Sequence, residues 1–382
     1  MPFADSYLPT PNLCNSPSQP RSVKTAPQTI LYLGYDGGTS LHRIHALERL
    51  GHKIHLINPY RFIPQNEFIW KWASKSGGMF LEALVRRRVL ESLPESRFDA
   101  VLVDAGEYVG PALVRDLKAV GGAVINYNTD DPFGTRDGHR WRLYLKSVPF
   151  YDLVVVVRKP NIAEARARGA RKVLPIYMSV DEVAHSRRVL SLADHQRWDS
   201  DVTFIGTWMP ERGPFIAKLI QLGVPLSLYG NRWERAAEWG TIRKVWRGPG
   251  VHNEDDYAKA IQCAKICLGL VSVGNRDLST QRSFEVPHLG GLLCAQRTEE
   301  HCELYKEDEE AVFWDTPEEC AQKCRLLLND PDLRKKIAER GRLRCLQNGT
   351  TNERAMETLL NSALAGSLSV AKEGVAGEEQ SR

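Results

Sequence analysis

From Thr29 onward, short runs that are apolar at nearly every position alternate with amphipathic helical stretches, and few folds can use that rhythm. The runs in the first half are ILYLGY (30–35), KIHLIN (53–58), AVLVDA (100–105), AVINYN (123–128), LVVVVR (153–158) and KVLPIYM (172–178). A strand with one wet face alternates polar and apolar residues. Continuous apolar runs of this length instead suit strands buried on both faces, as in parallel sheets. SLHRIHALERLG (40–51) and ALVRDLKAVGG (112–122) read as helices ending on glycine. After a polar, charged stretch at 180–200 the rhythm restarts with DVTFIG (201–206), PLSLYG (225–230), ICLGLVSV (266–273), LLCAQ (292–296) and AVFW (311–314). Helices are predicted at 211–222, 254–265, 299–305, 317–328, 331–346 and 351–364.

Two such sets in 382 residues predict an α/β chain of two Rossmann-like doubly wound domains facing a cleft. The expected boundaries are a disordered tail at 1–27, an N-terminal domain at 28–180 and a linker at 181–200. A C-terminal domain at 201–346 follows, then a helix at 347–365 returning to the first domain and a second disordered tail at 366–382. The charge balance, 51 basic against 47 acidic residues, is too even to imply nucleic acid or an anionic membrane as the main partner. Arg86–Arg88 reads as a solvated helix face. No apolar run reaches the roughly 18 residues of a membrane span, and no signal-peptide pattern opens the chain, so a cytoplasmic location is expected. Cys263/Cys267 and Cys320/Cys324 are spaced four apart within helical patterns, without C-x-x-C or a histidine at ligand spacing. Buried free thiols are expected, with no metal site.

In doubly wound sheets, ligands bind beyond the carboxyl ends of the strands, so the loops there are where chemistry is sought. Gly37 and Gly38, in GYDGGTS, open the way for backbone N–H groups to approach a phosphate or sugar at a helix start. The spacing is not G-x-G-x-x-G, and Asn58 stands where a dinucleotide fold places its ribose acid, which argues against NAD. Asp130 and Asp131, ahead of Pro132, offer paired carboxylates that could polarise a hydroxyl, or simply a polar turn. Gly206 begins a loop that carries Trp208, a ring that can stack or pack, and Arg212, suited to clamp a diphosphate at a helix start. Asn231 follows another strand-end glycine. Arg282 and Glu285 fall three apart, the first able to meet a phosphate and the second ribose hydroxyls, or each other as an intrahelical pair.

The series from Arg282-Ser-Phe284-Glu285-Val-Pro through Gly290-Gly291, EEHCELY, and AVFWDTPEECAQKCRLLLNDPDLRKKIAERGRLRCL resembles the C-terminal domain of the spore-maturation CgeB-like glycosyltransferases, relatives of the group-1, family 4-like transferases of GT-B fold. It covers 201–346 well and the N-terminal half loosely, through GYDGGTSLHRIHALERLGHKI and NTDDP. The resemblance implies a metal-independent sugar transfer from a nucleotide-diphosphate donor to an unknown acceptor, with retention at the anomeric carbon. It makes Glu285 the ribose ligand, Arg212 the diphosphate ligand and Tyr257 a contact on the base side. Asp277 stands where the wider group has the first glutamate of an E-x7-E pattern, and Asp130-Asp131 where a histidine is usual. Lys218 is a poor match for the lysine that usually follows the diphosphate-binding basic residue. With Asp130 and Asp131, Asp277 completes the candidate catalytic set. The acceptor is expected to meet residues 61–98, with Trp70 and Trp72. The departures at Asp277 and Asp130 leave room for a binding protein of this shape without turnover. A nucleotide-sugar epimerase would need more acid–base residues than can be assigned.

Overall fold

The computed structural model describes residues 26–251 and 253–364, so the tails expected at 1–27 and 366–382 lie almost wholly outside the described residues. The first sheet comprises β1 (Thr29–Leu33), β2 (Lys53–Ile57), β3 (Phe98–Asp104), β4 (Gly121–Asn128), β5 (Leu153–Val156) and β6 (Val173–Pro175). The second comprises β7 (Ser200–Ile205), β8 (Leu226–Tyr229), β9 (Trp246–Gly248), β10 (Ala264–Gly269), β11 (Leu293–Gln296) and β12 (Val312–Trp314). Their spatial orders are β2-β1-β3-β4-β5-β6 and β12-β11-β10-β7-β8-β9, and every pairing is parallel. The order therefore reverses between β1 and β3 in one sheet and between β7 and β10 in the other. These switch points open crevices at the strands' carboxyl ends.

The apolar runs became strands because both faces are covered. Leu31, Leu33, Val101, Val103, Val124 and Val154 pack on one side of the first sheet. Ile30, Tyr32, Ala100, Leu102, Ile125, Leu153 and Val155 pack on the other, where Met356, Leu359 and Leu360 of the helix at 352–364 join them. That helix follows a bridge between Val180 and Thr351, and its apolar face covers the first domain. The stretch 181–200 is itself packed: Asp181 and His185 are buried, and Ser191 and Asp194 form a capping box on the helix Leu192–Trp198.

One strand gave no signal in the sequence. β9 is the half-exposed edge segment Trp-Arg-Gly, paired only through Leu228–Trp246 and Tyr229–Gly248, too short and too wet to show an apolar run. The glycine ends differ as well. Gly51 takes a left-handed φ of 92° after the helix Gly38–Arg49, but the helix Pro111–Val120 stops at an extended Gly121 that already belongs to β4. There the glycines serve close approach, since a Cβ on Gly122 would lie 2.4 Å from the Asp99 carbonyl. Among the described residues no helix is long and apolar enough to cross a membrane.

Candidate active site

The carboxyl ends of the two sheets face each other, and the loops that follow the strands touch across the gap. At the second sheet's switch point, Arg212 joins the two loops that flank it. Its Nη1 donates to the Thr207 carbonyl after β7 (2.8 Å) and its Nη2 to the Leu270 carbonyl after β10 (2.9 Å). Arg212 is buried, and its Nε has no partner. Arg282, in the first turn of the helix Gln281–His288, donates from Nε to the Ile205 carbonyl at the end of β7. Neither arginine forms an ion pair among the described residues. Burial, reinforced by the charge of Arg282, pushes the Arg212 guanidinium down to about 10. Two cations held by carbonyls alone, at the start of helices and at a switch point, make a strong place for an anion.

The helix carrying Arg282 is fixed from below. Ser279 donates to Glu300 (2.7 Å), Tyr305 to the Ser283 carbonyl (2.8 Å), and His301 Nδ1 to the Gln296 carbonyl (2.7 Å). That last bond leaves His301 Nε2 to accept from Ser283 Oγ at 2.7 Å, so the ring is neutral. Burial lowers both His301 and the nearby His288 to about 4. A histidine kept neutral by the fold stabilises it fully above its unfolded value near 6.5, and loses that contribution as pH falls toward 4. Urea unfolding should therefore show a midpoint that drops steadily between pH 6.5 and 4. A flat midpoint down to pH 5 would contradict this account of the helix support.

Glu285, one turn beyond Arg282, is buried and accepts from Tyr257 Oη at 2.6 Å. His185 stands 3.3 Å away through Nε2. Its Nδ1 accepts from the Asp181 amide (3.0 Å), which leaves the ring proton on Nε2, beside the carboxylate. A carboxylate offers about four lone-pair sites, so the Tyr257 hydroxyl leaves capacity for other donors. His185 in turn meets His42 edge-on, with centroids 5.4 Å apart. His42 lines a cavity of about 470 Å³ with Arg49, Asp181 and Glu254, adjoining this cluster. Asn231 accepts from the Gly250 amide (3.3 Å), and the Gly206 carbonyl accepts from Trp233 Nε1 (2.9 Å). Trp208 packs against the second core. Gly37 caps the helix Gly38–Arg49 without any side-chain bond, and a Cβ on Gly38 would meet nothing within 4 Å, so that helix start is open.

The carboxylates are arranged differently. Asp130 is the exposed one, with 43% of its side chain accessible, 3.6 Å from Arg140. Asp131 is buried and accepts from Arg276 (2.7 and 2.8 Å) and Asn161 (2.9 Å). Burial raises its carboxyl, but the Arg276 and Asn161 bonds outweigh it and hold the group below the ordinary range. Asp277 accepts from Arg158 Nε at 2.8 Å and Nη2 at 2.5 Å, and burial raises its carboxyl despite that partner. The two pairs are reciprocal: adjacent residues of the second domain, Arg276 and Asp277, grip Asp131 and Arg158 of the first. Arg136 adds bonds to Ser272 (3.1 Å) and Asn275 (2.6 Å), and Arg276 also holds Glu164.

Sequence reasoning missed Arg158, Arg276 and His185. Arg158 closes an apolar run and Arg276 precedes Asp277, but no spacing pairs residues that lie so far apart along the chain. Strain offers a further sign: Ala105 after β3, Arg232 after β8 and Arg276 after β10 have left-handed φ of 59°, 67° and 54°. Non-glycine residues held there cluster at functional sites, at a cost on the order of 1–3 kcal/mol each. Trp70 packs edge-on to Tyr108 (6.2 Å), whereas Trp72 is exposed and stacks on Phe80 at 4.5 Å.

This geometry is that of a two-domain, Rossmann-like GT-B protein. The fold is similar to that of HepE from Anabaena, solved in complex with UDP-glucose, at 12% identity and TM-score 0.61, covering 89% of this chain and 100% of that one. It is also similar to the sucrose-phosphate synthase of Thermosynechococcus elongatus (14%, TM-score 0.62, 90% and 100%) and to the trehalose 6-phosphate synthase of Burkholderia multivorans (11%, TM-score 0.60, 91% and 100%). Residues 212–361 match the family described as glycosyl transferase-like, a stretch that lies within the second half of the chain and takes in Arg212, Arg282 and Glu285. No curated protein matches the sequence significantly.

Proposed function

We propose that this protein transfers a sugar from a nucleoside-diphosphate donor to an acceptor, without a metal ion and with retention, in the manner of the CgeB-like enzymes its C-terminal half resembles. The observation that carries the reading is the pair of arginines without acidic partners, Arg212 and Arg282, at the second sheet's switch point. As the sugar–phosphate bond breaks, negative charge grows on the departing diphosphate. Fixed guanidinium and helix N–H groups in a site screened from water stabilise that charge more than the ground state. Glu285 takes ribose hydroxyls on its free lone pairs, Tyr257 and His185 hold it in place, and the base lies toward Tyr257. Gly206 and Asn231 line the donor side, and Gly37 and Gly38 face it from the first domain. Asp130, the exposed carboxylate, is the residue free to meet an acceptor hydroxyl, while Asp131 and Asp277 hold the two domains at reacting distance. A cytoplasmic site of action belongs to the same reading.

The experiment is a thermal-shift screen against UDP, GDP, ADP, TDP and their sugar conjugates, followed by assay for transfer with any donor that binds. A ligand that binds only the folded protein raises the melting temperature, by an amount that grows with concentration over Kd. One nucleotide should raise it clearly, Glu285→Gln should weaken the shift, and EDTA should leave transfer unchanged. Glu285→Gln is preferable to Glu285→Ala, which leaves the Tyr257 hydroxyl buried without its acceptor, at about 1–3 kcal/mol. No shift at millimolar nucleotide would remove the donor site from this account. Binding without transfer would favour a GT-B-shaped binding protein, a reading that the engagement of Asp131 and Asp277 in ion pairs also suits.

A further inference from the structure

The second domain gathers three thiols whose positions in the chain give no hint of it. Cys294 lies on β11, and Cys320 and Cys324 lie one turn apart on the helix Pro317–Asn329. All three are fully buried, and their sulfurs all lie within 4.8 Å of one another. Two of the other three buried thiols are satisfied differently: Cys267 donates to the Ile261 carbonyl at 3.6 Å and Cys345 to the Phe284 carbonyl at 3.5 Å. Among the described residues, Cys294, Cys320 and Cys324 have no such carbonyl partner. Their sulfurs turn to each other instead, within the second domain's apolar core, to which Leu292, Val312, Trp314, Leu327 and Ile337 also belong. Three sulfurs bound at about 2.3 Å to one central ion stand about 4 Å apart, so small side-chain adjustments close this group on an ion.

We propose that Cys294, Cys320 and Cys324 form a three-thiolate site for a soft, low-coordinate metal ion, Cu(I) being the one whose chemistry fits. Structural zinc takes four ligands, and among the described residues no histidine or carboxylate completes this group. Thiolates select Cu(I) over harder ions, and a coordination number of three suits a core without water. Cys320 sits near the start of its helix, where the helix dipole favours a thiolate. Each bond to the ion replaces an S–H bond and releases a proton to solvent, with no change of oxidation state. The bound ion ties β11 of the sheet to the helix Pro317–Asn329.

The test uses the full-length protein, reduced and anaerobic, titrated with Cu(I) as its acetonitrile complex and challenged with a chromogenic Cu(I) chelator. One equivalent should resist the chelator, raise the melting temperature and show only sulfur neighbours, three of them, by X-ray absorption. Cys294→Ser, Cys320→Ser and Cys324→Ser should each release the ion at least tenfold more readily, and Cys302→Ser, at an exposed thiol, should not. Loss of the ion from the wild type, or its equal retention in all three cluster variants, overturns the proposal. So does X-ray absorption of the wild type showing nitrogen or oxygen ligands, as the half-exposed group of His195, Asp199 and buried Cys263 would give. That last measurement holds whether or not the variants fold.

Discussion

Arg282→Ala should lower the affinity for the preferred nucleoside diphosphate by between about 10-fold and 150-fold while leaving the fold intact. A hydrogen bond to a charged group contributes about 1.5–3 kcal/mol, and each 1.4 kcal/mol is a factor of ten. The fold is spared because, among the described residues, the Arg282 side chain makes one bond, to the Ile205 carbonyl, and no ion pair. Arg282→Lys should recover part of the loss, since it restores the charge without the planar fork. Isothermal titration with the nucleotide alone separates binding from turnover. Unchanged affinity in Arg282→Ala would place the diphosphate elsewhere. Arg212 is the less clean probe, because its guanidinium also ties the loops after β7 and β10, and its loss would loosen both.

The second large effect concerns the grip between the domains. Asp277→Asn should destabilise the protein by about 3–5 kcal/mol, because removing one member of a buried ion pair leaves the other charge without compensation. Arg158 and Asp277 have only 5% and 7% of their side chains exposed, so solvent offers little relief. Arg158 keeps a bond to the Thr129 carbonyl (2.8 Å), which satisfies a donor but not its charge. The double replacement Arg158→Met with Asp277→Leu should regain most of the loss, since well-packed apolar pairs often equal or exceed buried ion pairs. Urea unfolding measures the cost, and small-angle scattering reports whether the halves separate first. A loss below about 1 kcal/mol in Asp277→Asn would mean that the pair does not hold the domains. Disruption at Asp131–Arg276 should cost less, because 37% of the Arg276 side chain meets solvent.

Much of the architecture was legible because burial on both faces writes itself into consecutive residues. The runs around Ile30, Val101, Val124 and Val154 are apolar throughout since helices cover both sides of their sheet. β9 escaped notice because an edge strand of three half-wet residues carries no such mark. The donor-side residues were legible in part. Arg212 and Arg282 follow strand ends, where this class of fold places ligands, and a loop's position in the alternation is a local property.

What the sequence alone determined is the alternation, hence two parallel sheets, and the loops in which chemistry must lie. Only the tertiary structure decided which charges remain unpaired. Arg212 and Arg282 look no different in sequence from Arg158 and Arg276, yet the first two meet only carbonyls and the second two meet Asp277 and Asp131. The same holds for Cys294, which joins Cys320 and Cys324 only because β11 passes beneath their helix. Periodicity records whether a residue is buried, which depends on its own element. Partnership depends on which distant elements the chain brings within a few ångströms, and no local pattern encodes that.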